Sequence, residues 1–229
     1  MSYSRRQLIG AAASAALFAT TAKSSTLAEV VAGLKDPPLP GPAPLPYVLP
    51  AAARPATDAV IDPRLLSRAR AAFDRHRWRL RNANLVVITD FNKASRDPRF
   101  YLFDTNSGRV TQHLVAHGRG SDPAHSGYVA HFSNRMGSNA SSAGAYLTGD
   151  LYQGKYGRSM RVEGLDERNS NAHARAIVIH SAWYAEPHQV AEHGKLGRSE
   201  GCFALSHNSL QQVLARLGPG HLLYADKVA

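Results

Sequence analysis

Apolar positions are distributed in two different rhythms along this chain. After Asp62-Pro63, the residues Leu65, Leu66, Ala69, Ala72 and Phe73 recur at spacings of three and four, with basic residues between them. That period predicts an amphipathic helix running on towards Arg77 and Leu80. From Leu85 to Phe91 the sequence LVVITDF is short, apolar and β-branched, and it predicts a buried strand. Phe100–Asp104, the turn Thr105-Asn106-Ser107-Gly108 and Val110–Ala116 read as a β-hairpin. Residues 117–145 are rich in Gly, Ser, Asn and His, too polar for a core, and suit long loops around a site. Strands are expected at Ala145–Tyr152, Ser159–Val162 and Ala176–His180. Ser206 can cap a helix through about Leu217, Gly218-Pro219-Gly220 stops it, and His221–Ala225 makes a last strand. Many short strands, two helices and no internal repeat argue for a mainly β or α+β domain over residues 62–229.

The part before that domain has a different character. Ser4-Arg5-Arg6-Gln7-Leu8-Ile9 precedes an Ala-rich apolar stretch, and no acidic residue occurs before Glu29. This resembles a twin-arginine export signal over residues 1–28, which implies a folded protein delivered to the periplasm or cell envelope. With no Cys near the cleavage region, a lipoprotein anchor is not expected. Residues 29–61 contain DPPLPGPAPLPYVLPAAARP, where the prolines remove backbone donors and favour an extended course, so this stretch reads as a linker.

The formal charge is +10, and losing Arg5, Arg6 and Lys23 with residues 1–28 would leave +7. A basic surface suits any polyanion. The Arg and Lys residues are scattered, however, and no nucleic-acid-binding signature appears, so no nucleic-acid partner is expected. No stretch approaches the ~20 apolar residues of a membrane-spanning helix. A single cysteine, Cys202, rules out an internal disulfide.

Three segments carry candidate chemistry: the strand IVIHSAWY ending at His180, the stretch GRSEGCFAL around Cys202, and SSAGAYLTGD from Ser141. A thiol of ordinary pKa is mostly protonated at neutral pH, so a cysteine nucleophile needs a base or cation beside it. His180 at a strand end is a suitable base. Gly201 permits a tight turn that exposes the sulfur, and the Gly201 and Cys202 N–H groups can face a developing oxyanion. On the residues alone, Cys202 is equally well read as a small buried hydrophobe.

Taken in order, IVIHSAWY, GKLGRSEGCFAL and SSAGAYLTGDLYQGKYGRSMRVEGLD resemble the YkuD-type L,D-transpeptidases, most closely the murein L,D-transpeptidase catalytic-domain branch, across about residues 85–226. The resemblance implies a mixed β-sheet sandwich or barrel with flanking helices, and a catalytic domain over 62–229. It implies Cys202 as nucleophile, His180 as its proton partner, Ser181 orienting the imidazole partly through its carbonyl, and Gly201 with Cys202 lining the oxyanion hole. It further implies peptidoglycan stem peptides as substrate, a thioester intermediate, resolution by an amine or by water, and acylation by carbapenems. No metal or cofactor is implied.

Two departures stand out. Glu200 occupies the place where the wider family commonly has a histidine before Gly-Cys, and a carboxylate there raises a thiol pKa. Ala204 stands where Asn or Arg often follows. A peptidoglycan-binding protein on the same fold without turnover is therefore the alternative function. Arg198, Ser199, Tyr184 and Trp183 are candidate substrate contacts. Arg198 can also simply pair with Glu200, and the two aromatics can simply pack. Among the 11 histidines, His113 and His117 are placed on one strand, roughly 13 Å apart at ~3.3 Å per residue, and no His-Glu-x-x-His run exists.

Overall fold

The structure is a computed structural model that describes residues 61–228. The expected export signal, and the linker apart from Ile61, lie outside the described residues. Ile61 itself is buried in the core beside the first helix.

Helix α1 spans Pro63–His76. Asp62 caps it by accepting the Arg64 N–H at 2.8 Å, and Pro63 occupies the first turn, where a missing N–H does no harm. Leu65, Leu66, Ala69 and Ala72 form its buried stripe, and burying the two leucines alone contributes about 3–6 kcal/mol. The strands are β1 (Leu85–Asp90), β2 (Phe100–Asp104), β3 (Val110–His113), β4 (Gly144–Gly154), β5 (Gly157–Gly164), β6 (Val178–Ser181), β7 (Phe203–Leu205) and β8 (Leu222–Asp226). Between β6 and β8 lie α2 (Pro187–His193) and α3 (His207–Leu214).

All eight strands join one mixed sheet in the order β3-β2-β1-β8-β4-β5-β6-β7. β1 runs parallel to β8, and β6 parallel to β7; the other pairings are antiparallel. Both faces of the sheet are covered. Leu85, Val87, Phe100, Leu102 and Leu223 face one core with α3, while Val86, Ile88, Tyr101, Leu222 and Tyr224 face the other with α1. That alternation is the period-two signature of pleated strands. A third, smaller cluster of Ala116, Ala182, Ala185, Leu196 and Ala204 lies beside β6 and β7.

The helices flank a mainly β core as the sequence implied. Two elements were not foreseen there. Helix α2 is one polar pair of turns, and β7 has three residues inside the GCFAL stretch. The hairpin strand β3 also stops at His113, so His117 belongs to a loop and not to the same strand as His113.

Candidate active site

β6 and β7 run side by side with Ile179 opposite Phe203, His180 opposite Ala204 and Ser181 opposite Leu205. Cys202 stands just before β7, two residues from the partner of His180. Its side chain is partly exposed, and Sγ lies 3.6 Å from the Ala176 carbonyl, the oxygen its proton is directed towards. Ala176 adopts φ +52°, a left-handed conformation rare for a residue with a Cβ, and storing it costs on the order of 1 kcal/mol. Burial pushes the Cys202 thiol up from its ordinary pKa; Glu200 adds to this, while the Val178 backbone and Arg175 pull the other way.

His180 is buried, with Nδ1 2.9 Å from the Ser181 carbonyl. A carbonyl only accepts, so Nδ1 carries the proton and Nε2 is the basic nitrogen. Burial holds the imidazole below its ordinary pKa, opposed by that same hydrogen bond. The ring stacks on Tyr156, with centroids 4.5 Å apart and planes at 27°. Tyr156 arrives from the two-residue turn between β4 and β5, where Gly157 follows at φ +78°. Among the described residues no hydrogen bond joins Cys202 to His180.

The turn before Cys202 is held from inside. Gly201 adopts φ +116°, and a Cβ there would sit 2.7 Å from the Ala140 carbonyl oxygen and 3.0 Å from Arg175 Nη2. Ser199 is buried and braces both ends of the turn: its Oγ accepts the Gly201 N–H at 3.1 Å and donates to the Cys202 carbonyl at 2.8 Å. Of the two N–H groups expected to face an oxyanion, Gly201's is therefore committed to Ser199. That of Cys202 has no protein partner among the described residues. Arg198 does not pair with Glu200; its guanidinium donates to the carbonyls of Asp122 and Pro123. Glu200 instead meets Arg119 at 3.0 Å on an exposed surface.

Behind this turn runs a buried polar chain. The Ser199 N–H donates to the His117 carbonyl at 2.8 Å, and the Arg119 N–H donates to the Ser199 carbonyl at 2.8 Å, so residues 117–119 splint the cysteine loop. His117 Nδ1 lies 2.7 Å from Nη2 of the fully buried Arg99, and Nε2 lies 3.3 Å from Asp122 Oδ2. Because a guanidinium only donates, Nδ1 accepts and the Nε2–H points at the carboxylate. Burial and the adjacent Arg99 push His117 down to about 4, and burial pulls Arg99 to about 9. Burial works against the Asp122 carboxylate, but the N–H groups of Ser126 and Gly127 hold it below its ordinary pKa.

A groove of about 580 Å³ is lined by Tyr156, Arg158, Ser181, Trp183 and Tyr184 among others, and neither His180 nor Cys202 lines it. Tyr184 packs against the small alanine-rich cluster, whereas Trp183 is 69% exposed and does not serve the core. The expected site residues thus fall into two groups. Cys202, Gly201, Ser199 and Arg198 share the loop before β7, and Ser181, Trp183 and Tyr184 line the groove next to His180.

Arg175, Tyr156, Arg99 and Asp122 were not picked out by the sequence, and His117 was weighed there only as a metal ligand. Each is single in its segment and joins the site only through the fold, so no spacing signals it. Among the described residues no group of three His, Cys, Asp or Glu side chains is placed to hold a metal ion, and no helix is long and apolar enough to cross a membrane.

A family model described as the L,D-transpeptidase catalytic domain matches residues 57–225. No curated protein matches significantly. Similar solved structures include an L,D-transpeptidase from Mycobacterium smegmatis, with 13% identity, 63% of this chain and 59% of that chain covered, and a TM-score of 0.39. An L,D-transpeptidase from Stackebrandtia nassauensis shows 13% identity, coverage of 71% and 64%, and a TM-score of 0.37. An L,D-transpeptidase 1 from Mycobacterium tuberculosis shows 12% identity, coverage of 62% and 61%, and a TM-score of 0.35. The chain spans less than two thirds of the length of each of these relatives.

Proposed function

The chain belongs to the L,D-transpeptidase catalytic-domain family, and from that premise we propose that it is a cysteine-dependent acyltransferase acting on peptidoglycan stem peptides. One observation carries this reading. Within the matched residues, the sole cysteine stands on a braced turn beside the strand whose histidine presents a neutral, basic Nε2.

The proposed cycle begins when the Cys202 proton moves to His180 Nε2. The sulfur bonds to the carbonyl carbon between an L- and a D-centre, and the Cys202 N–H faces the oxyanion. Collapse breaks the C–N bond, His180 returns the proton to the leaving D-residue amine, and a thioester remains on Cys202. An amine of a neighbouring stem then attacks the thioester, its proton passes through His180 to the departing sulfur, and an amide cross-link is made. Water in place of the amine would give L,D-carboxypeptidase activity. Ser181 holds the imidazole through its carbonyl, and the groove beside it, with Trp183 and Tyr184, receives the stem. Arg198 and Ser199 act as supports of the loop. A β-lactam of the carbapenem class would acylate the same sulfur, and the mass shift should vanish in Cys202→Ser. Export of the protein to the cell envelope through the Arg5-Arg6 signal belongs to this proposal; Arg5→Lys with Arg6→Lys should leave the chain in the cytoplasm.

A second reading, a stem-peptide-binding protein without turnover, is favoured by the protonated thiol turned to Ala176 and by Glu200 beside it. The two are separated by incubating the mature domain with a tetrapeptide stem and following terminal D-residue release by mass spectrometry. The enzyme reading predicts release by wild type and none by Cys202→Ala or His180→Ala. Binding without release by the folded wild-type domain would leave the second reading.

A further inference from the structure

A positive charge near a thiol favours its ionisation, and the loop that carries Cys202 offers the opposite sign. The charged and titratable groups facing the sulfur come from four elements. The loop itself supplies Glu200, β6 supplies the buried and neutral His180, and the turn after β6 supplies Tyr184; none of these brings a fixed positive charge. The fourth element, the segment entering β6, supplies Arg175.

The surroundings of Arg175 are unusual for an arginine. It is half-buried, yet no carboxylate pairs with it among the described residues. Its Nη1 donates to the Ser133 carbonyl and to Ser142 Oγ, both at 2.7 Å, and its Nη2 donates to the Ala140 carbonyl. All three partners are neutral, so nothing cancels the charge. Those bonds also fix the guanidinium plane against the loop, with Nη2 only 3.0 Å from where a Gly201 Cβ would stand. Two of its five N–H groups, the Nε–H and the second Nη2–H, remain uncommitted. Burying an unpaired charge is unfavourable, and burial does pull Arg175 down from its ordinary pKa, with the Cys202 charge working against that pull. The same residue's neighbour, Ala176, accepts the thiol proton, so Arg175 and Cys202 are joined through one residue of strained backbone.

We propose that Arg175 is a positioning residue for the nucleophile, locked by three neutral acceptors so that its unpaired charge eases ionisation of the Cys202 sulfur when the proton leaves it. In this protein the cation that the turn itself lacks is supplied from the strand entry on the far side of Gly201. The inference rests on the reading of Cys202 as the reactive thiol, but its test needs no turnover.

The test is the pH dependence of Cys202 alkylation by iodoacetamide, in which the thiolate forms a C–S bond and iodide leaves. Wild type is compared with Arg175→Gln, Arg175→Lys and a variant carrying neutral citrulline in place of Arg175, each checked by its melting curve. An opposite charge within several ångströms shifts a titration by about one unit or more. Arg175→Gln and the citrulline variant should therefore move the alkylation midpoint up by about one pH unit, with about tenfold slower reaction at pH 7. Arg175→Lys, which keeps the charge, should stay within about half a unit of wild type. If Arg175→Gln does not fold, the citrulline variant decides, since it keeps the planar shape and most of the donors. A folded neutral variant with the wild-type profile would overturn the proposal. So would a Lys variant displaced as far as the neutral ones, because Arg175 would then be a structural brace only. A domain that alkylates as expected but leaves stem peptides intact would sink the turnover reading and leave this one standing.

Discussion

Arg99→Met is the perturbation whose consequence is best determined by the structure. Arg99 is completely buried, and its guanidinium makes four hydrogen bonds. Nε and Nη2 reach the Val115 carbonyl at 3.1 and 2.8 Å, Nη1 reaches the Lys93 carbonyl at 2.8 Å, and Nη2 reaches His117 Nδ1 at 2.7 Å. Met keeps an unbranched apolar side chain but loses the guanidinium, whose Cζ lies 5.2 Å from the Phe91 ring centroid, and abandons three buried acceptors. Each unsatisfied acceptor costs about 1–3 kcal/mol, and relief from burying a charge offsets part of the sum. A net loss of about 3–4 kcal/mol is expected, which for a domain of this size lowers Tm by roughly 10 °C. Differential scanning calorimetry measures it, with Arg64→Met as a control. The pairing of Arg64 with Asp62 is exposed, and losing it should move the melting curve far less than Arg99→Met does. Hydrogen exchange at the Ser199 N–H, bound to the His117 carbonyl, should accelerate in Arg99→Met beyond the global change. A Tm within about 2 °C of wild type would refute the view that this buried chain supports the cysteine loop.

Three further outcomes follow from the same geometry. His117 and His113 are both held down to about 4 by burial, so between pH 6.5 and 4 the unfolded chain binds protons that the folded one does not. Stability should therefore fall as pH drops through that window, by on the order of a few kcal/mol, and His113→Gln should flatten the denaturant-midpoint profile. Glu200→Gln should speed iodoacetamide alkylation at pH 7 by about twofold at low salt, and the gain should shrink at 0.5 M salt because the carboxylate is exposed; an unchanged rate at low salt would remove Glu200 from the electrostatics of the thiol. Gly201→Ala forces a Cβ against the Ala140 carbonyl at φ +116°, and a loss of about 2–4 kcal/mol should appear in its melting curve. Wild-type stability in that variant would mean that the turn relaxes freely.

The readable parts of this fold were those whose signal is local. The stripe Leu65, Leu66, Ala69, Ala72 named α1 because an i, i+4, i+7 pattern exists before any tertiary contact. The β-branched run from Leu85 and the Asn-Ser-Gly turn before Arg109 marked β1 and the β2–β3 hairpin for the same reason. Helix α2, PHQVAEH, has too few apolar residues to show a period, and β7 needs the neighbouring β6 to be a strand at all. At the candidate site, Cys202 and His180 could be singled out because their immediate neighbours are distinctive. Arg175 was not: a single arginine in NAHARAI gains its meaning only when residues 133–142 fold over it. Ser199 was named as a substrate contact, yet its hydroxyl is occupied in bracing the turn, a role that depends on Gly201 folding back within two residues.

Whether the sulfur of Cys202 carries the acyl group is read directly by intact-protein mass spectrometry. The mature domain is mixed with a tetrapeptide stem, no acceptor amine is supplied, and the reaction is stopped with acid within seconds. The expected result is an added mass equal to the stem less its terminal D-residue and less water, mapped to the peptide containing Cys202 and discharged by hydroxylamine. Cys202→Ala should show no such adduct. An adduct that persists in Cys202→Ala, or D-residue release by that variant, would contradict that role for Cys202.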